Sequence, residues 1–228
     1  MKIPSHKNRT AQEIVSENIY HDTSGYAYRA VSWLDLTKRS GDFAAFHYTC
    51  IDARLAIEYL IFDLLVVSAG TALERGGYQL CLSDPRKLDK LLQRLVPDYD
   101  LLQEFNTIIL SITPGAPNSN RWDIKELRKS WGRISRYLHW TGAYSETTEN
   151  TEWQQAAIEE VESIINPLWV KICSGLTGSI RIESMPDPVR EIWEEFKNKK
   201  IDSDSARFRL ELIRKKKRYI PVPVQYKP

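Results

Sequence analysis

Glycine is scarce in this chain, 10 in 228 residues, and none of it forms a phosphate-cradling loop, a GxSxG elbow or a kinase-type glycine run. The pair in "ERGGYQ" (74–79) reads as a turn. HExxH is missing too. Three cysteines, Cys50, Cys81 and Cys173, are widely spaced, with no CxxC and no Cys/His cluster. A zinc site is therefore not expected, and no metal or cofactor is assigned. An odd number of cysteines set among apolar neighbours fits reduced, buried thiols of the cytosol better than a disulfide framework.

Long apolar runs are lacking as well. The longest, "YLIFDLLVVSAG" (59–70), is interrupted by Asp63 and is too short to cross a bilayer. "MKIPSHKNRT" has no apolar segment behind its charges, so it does not read as a secretory signal. The expectation is a cytoplasmic protein with no membrane partner. Nor is there an excess of one charge: 32 basic and 30 acidic residues leave a net +2. That argues against indiscriminate coating of nucleic acid and leaves a local basic patch open. Apolar residues at 42% and charged residues at 27% are ordinary for a folded domain.

Alternating strand patterns are absent, whereas helical periodicity is nearly continuous. A short helix is expected around 10–20, in a peripheral segment covering residues 1–22. One over 25–39 places Tyr28, Val31, Trp33, Leu34 and Leu36 on an apolar side. Residues 42–70, capped by Asp42 and stopped by Gly70, carry the strongest pattern, with Phe43, Phe46, Cys50, Ile57, Leu60, Ile61, Leu64 and Leu65 on one buried face. "SDP" (83–85) starts a helix that ends near Pro97. Others follow over 98–112, 123–144, 151–175, 188–198 and 203–217, with Pro167 a candidate kink. The fold class is all-α, a helical bundle over 1–184 with a C-terminal helical hairpin and basic, proline-broken tail over 185–228. In the hairpin, Ile192, Trp193, Phe196, Phe208, Leu210 and Leu212 form the apolar side, and it is expected to dock on the bundle or on a partner.

"LRKSWGRISRYLHW" (127–140) carries the functional question. At roughly 100° per residue, Ile124, Leu127, Trp131, Ile134 and Leu138 fall in one sector of about 80°, the core stripe. Lys129 and Arg136 stand away from it, and Arg128 lies beside His139. His139 falls at its shoulder, one turn from Ser135, with Gly132 leaving room beside it. Glycine within a helix costs roughly 1 kcal/mol relative to alanine, which suggests close approach of another group. The plain reading is a solvated cationic face beside a boundary histidine. The functional reading uses planar guanidinium forks suited to phosphate and a histidine whose unperturbed pKa of about 6.5 allows proton transfer at neutral pH.

An arginine, a few intervening residues and then a histidine on a late helix, after an "ARLAIEYLIFDLL" core helix, resembles the HEPN superfamily of helical ribonuclease and nucleotide-binding domains. Arg133 and His139, with five residues between them, match the signature spacing. Ile134 departs from it, being apolar where the family prefers a polar residue. The resemblance covers residues 24–180 as architecture and two positions as motif. It implies a homodimer whose Arg/His pairs meet across the interface. It implies metal-independent cleavage of RNA through the 2′-hydroxyl, in a toxin or antiviral defence setting, with an antitoxin or other protein as a further partner. Arg133 would orient the scissile phosphate and His139 would act as acid or base. On a straight helix, however, the two stand about 120° apart, so one pair alone converges poorly.

Supporting positions are Glu58 and Ser135. Glu58 is expected at a buried shoulder of the core helix, in an ion pair with an arginine of the 123–144 helix or orienting Arg133 or His139. His47, on the same helix, reads as structural. Candidate RNA contacts are Arg128, Lys129 and Arg136, together with Lys215, Lys216 and Lys217 in the five-cation run 214–218. The same basic faces serve a second reading, a non-catalytic helical module that binds RNA, a nucleotide or a partner protein.

Overall fold

The computed structural model describes residues 5–17, 21–70, 76–77, 87–116, 120–138, 151–175 and 180–216. Among them the chain is all-α: α1 (Ala11–Ser16), α2 (Thr23–Ser40), α3 (Phe43–Ala69), α4 (Leu88–Leu95), α5 (Tyr99–Ile112), α6 (Ile124–Ser135), α7 (Thr151–Ser174), α8 (Asp187–Lys197) and α9 (Ser203–Lys215). No helix among these residues is long and apolar enough to cross a membrane.

Local chemistry sets the helix ends. Thr10 and Glu13 form a reciprocal capping box at α1. Asp22 accepts from the Gly25 amide at 2.8 Å to start α2, and Gly41, with φ of 71°, closes it in the left-handed conformation that glycine adopts at no steric cost. Asp42 accepts from the Ala44 amide at 2.9 Å to start α3. The cap expected at "SDP" (83–85) lies outside the described residues.

Contacts divide the chain into two compact units, Met1–Leu60 with Lys125–Ser174, and Ile61–Ile124 with Gly175–Lys227, so the division falls inside α3. In the first unit α2 packs on α7, where the Tyr28 and Trp169 ring centroids lie 5.5 Å apart and Lys38 pairs with Glu162 at 2.8 Å. Phe46, Cys50 and Ile57 of α3 are fully buried, as the periodicity predicts, and so are Ala53 and Ala56, whereas Phe43 is half-buried. Burying a phenylalanine such as Phe46 contributes roughly 2–3 kcal/mol. Asp52 is buried on the same helix and held in a forked pair by Arg29 of α2, with Arg29 Nε 2.6 Å from Oδ2. The N-terminal segment is less peripheral than its weak pattern suggests. Ile14 is wholly buried against Trp33 and Ala45, because the capping box fixes α1 where that one apolar side chain reaches the core.

In the second unit α8 and α9 pack on α5, with Phe105, Trp193 and Phe196 forming an aromatic cluster. Residues 185–216, read from sequence as part of an appendage, are thus seated on the helix over 98–112. Arg214 donates to the Ile112 carbonyl, and Ser203 donates to Glu104 at 2.7 Å. The expected apolar side of the hairpin is corrected at two positions. α9 buries Ala206 and Leu210, one turn apart, and leaves Phe208 at 61% and Leu212 at 41% exposure.

Candidate nucleic-acid interface

α6 is amphipathic as expected. Ile124, Leu127 and Ile134 are buried, and Arg128 and Lys129 lie on the exposed flank. Trp131 and Leu138, assigned to the core stripe, are only half-buried. The helix also ends earlier than the periodicity predicts. Past Ser135 the Tyr137 amide donates to the Ile134 carbonyl and the Leu138 amide to the Ser135 carbonyl, each at 3.1 Å, so the backbone tightens from four-residue to three-residue closure. Packing explains the change. On a straight continuation Tyr137 would stand about 40° from Arg133, outside the core sector. Instead its ring lies 5.5 Å from Phe46 and 6.0 Å from Trp153, centroid to centroid. His139 itself, like Lys217 and Cys81, lies outside the described residues.

Glu160 of α7 organises what surrounds Arg133. Its Oε1 accepts from Arg133 Nε and from Arg136 Nη2, each at 2.7 Å, and its Oε2 accepts from the Tyr137 hydroxyl. Burial works against ionisation of Glu160. The hydrogen bonds from Tyr137 and Arg133 and the charges of both arginines outweigh it and hold the carboxyl below the usual carboxylate range. Burial, then the bond to Glu160 and its charge, push the Tyr137 hydroxyl well above the ordinary phenol. Two cations meet one anion, so the site carries net positive charge, and Arg136 keeps 64% of its side chain exposed. Beside it Phe43, Phe46, Tyr137 and Trp153 form a ring cluster that continues to the exposed His47. His47 Nδ1 lies 3.1 Å from the Phe43 carbonyl. A carbonyl only accepts, so Nδ1–H is the donor in this contact.

Among the described residues Glu58 is not paired with an arginine of α6. Its ion pair is with Arg54 of its own helix, at 2.8 Å, and the same oxygen accepts from the Trp131 indole N–H at 2.7 Å. The Arg54 guanidinium lies over the Trp131 ring, 4.8 Å from its centroid. Glu58 thus ties α6 to α3 through a tryptophan, and it reaches Arg133 through none of these contacts. Helical spacing explains the difference: Arg54 is one turn away, within reach whatever the tertiary arrangement. Ser135 is buried at 3% exposure and its hydroxyl finds no partner among the described residues, so it faces inward rather than toward a solvent-facing site. Gly132 is corrected too. Among the described residues a Cβ there would meet nothing within 4 Å, so none of them approaches it closely.

Compared with family models, curated proteins and solved structures, the chain matches none.

Arg133 and Arg136 are therefore brought together, by a glutamate the sequence did not single out. Arg128 and Lys129 share their helix, and Lys129 lies 3.8 Å from Glu126. Lys215 and Lys216, exposed at the end of α9, belong to the second unit. Among the described residues no group of three or more His, Cys, Asp or Glu gathers as metal ligands would. Glu160 and Tyr137 were missed because "EEVE" (159–162) offers three interchangeable acids on α7. Only the pairing of α7 with the end of α6 selects one of them.

Proposed function

We propose that the chain binds RNA through the face at the end of α6, with Arg133 and Arg136 on backbone phosphates and Arg128 and Lys129 extending the basic track. The observation that supports this most is the shared carboxylate. Two arginines converge on one acid beside half-buried rings, which leaves surplus positive charge next to surfaces on which bases stack. Lys215, Lys216 and Lys217 form a separate basic run proposed for RNA contact.

A more specific form of this reading is a HEPN-like, metal-independent endoribonuclease acting as a homodimer, in a toxin or antiviral defence role with an antitoxin or other protein partner. The spacing of Arg133 and His139, with five residues between them, favours it. In that form the 2′-oxygen bonds to the phosphorus as the P–O5′ bond breaks, giving a 2′,3′-cyclic phosphate and a 5′-hydroxyl, and His139 either takes the 2′-hydroxyl proton or gives one to the departing 5′-oxygen. Mixed RNA incubated with the protein in EDTA tests both forms. Fragments with 2′,3′-cyclic phosphate ends that vanish in His139→Ala support the nuclease. Intact RNA retarded on a gel supports the binding module. Neither cleavage nor retardation overturns both.

A further inference from the structure

We infer that Glu160 holds the place of a phosphate, and that RNA binds by displacing its carboxylate from Arg133, Arg136 and Tyr137. The inference rests on the RNA-binding reading and names the group recognised and the internal competitor that sets its affinity. Three side chains from one short segment donate to the two oxygens of a single carboxylate, two of the bonds being 2.7 Å long. A phosphodiester offers the same features: one negative charge shared by two non-bridging oxygens that accept charge-assisted hydrogen bonds. A purely structural role for Glu160 needs one arginine. The second, Arg136, is 64% exposed and gains little from a surface ion pair, so stability does not account for its placement.

Displacement is also physically open. The Glu160 side chain retains 22% exposure, so it can turn into water without leaving a charge stranded in the core. Arg133, at 38% exposure, and Arg136 then present their forks to the incoming phosphate without first being desolvated. Tyr137 is held in the ring cluster by Phe46 and Trp153, so its hydroxyl stays directed at the vacated position.

The test is fluorescence anisotropy of a short, labelled, fully 2′-O-methylated single-stranded RNA with the full chain, because methylation blocks attack through the 2′-hydroxyl. Glu160→Gln keeps the shape and removes the competing charge. Its affinity should rise on the order of tenfold, the scale of one charge-assisted hydrogen bond. Glu159→Gln makes the same change of net charge on the neighbouring residue, which accepts from Gln155 at 2.7 Å, and should leave affinity within about twofold. If Glu160→Gln does not fold, Glu160→Asp, charged but too short to reach all three donors, should also bind more tightly. Unchanged or weaker binding in the folded Glu160 variant, or equal tightening in Glu159→Gln, overturns the inference and leaves RNA binding by the wild type standing. No binding by wild type or by any Glu160 variant overturns both. Tight binding by Glu160→Gln alone supports the inference in its strongest form, a site closed by its own glutamate.

Discussion

Arg133 donates from Nε to Oε1 of Glu160 at 2.7 Å, so the arginine that the sequence offers to a phosphate is held by a carboxylate from another helix. Arg136 and Tyr137 complete the same acceptor. The relationship gives this face its charge, its order and its pH dependence.

Because the folded carboxyl of Glu160 lies below its ordinary range, folding favours its ionised form. Its contribution to stability is present above the unfolded pKa, about 4.3, and is lost as pH falls through the lower folded value. Wild type should therefore exceed Glu160→Gln in unfolding free energy at pH 7, and the gap should narrow as pH falls below the unfolded value. Urea unfolding at a series of pH values reads this directly. A gap that does not change with pH contradicts it.

Among the described residues nothing lies within 4 Å of the position a Cβ at Gly132 would take. Gly132→Ala should raise stability by roughly 0.5–1 kcal/mol, since the helix gains propensity and meets no clash. A thermal melt reads the gain. A loss would show that the glycine serves a close contact after all.

Trp131 is joined to Glu58 and capped by Arg54. Trp131→Phe keeps most of the ring and removes the N–H donor. It should cost about 1–2 kcal/mol, combining a lost hydrogen bond to a charged group with a weaker cation–π contact. Chemical denaturation checks the value, and no change would mean that the latch contributes nothing to holding α6.

Cys50 is buried and its thiol is pushed up to about 12 by that burial; Cys173, half-buried, is pushed up to about 11 for the same reason. Both should resist thiol reagents in the native protein at neutral pH and react on unfolding, because the thiolate is the reactive species. Mass spectrometry after timed alkylation distinguishes this from rapid native labelling of Cys50.

The helices were legible where one face dominated. Phe46, Cys50 and Ile57 identified the buried side of α3, and Asp42 is a local cap that needs no tertiary information, whereas the cap at Asp22 was not read from the sequence. The short reach of α6 was not legible, since its end is set by the packing of Tyr137 on Phe46 and Trp153 from two other helices. Phe208 and Leu212 looked equivalent to Leu210, and only the docking of α9 on α5 separates them. In the candidate site, Arg133 and Arg136 could be read from spacing and charge. Glu160 could not, because nothing local distinguishes it from Glu159 or Glu162.

The claim that this face binds RNA is tested most directly by the salt dependence of binding in wild type and in an Arg133→Ala/Arg136→Ala double variant. Wild type should bind single-stranded RNA with an affinity that falls steeply with salt. The double variant should bind at least about tenfold more weakly, and its log–log salt slope should be shallower by about 1.4, the release expected for two phosphate contacts on a single strand. Equal affinity and equal slope in the two proteins would contradict the account.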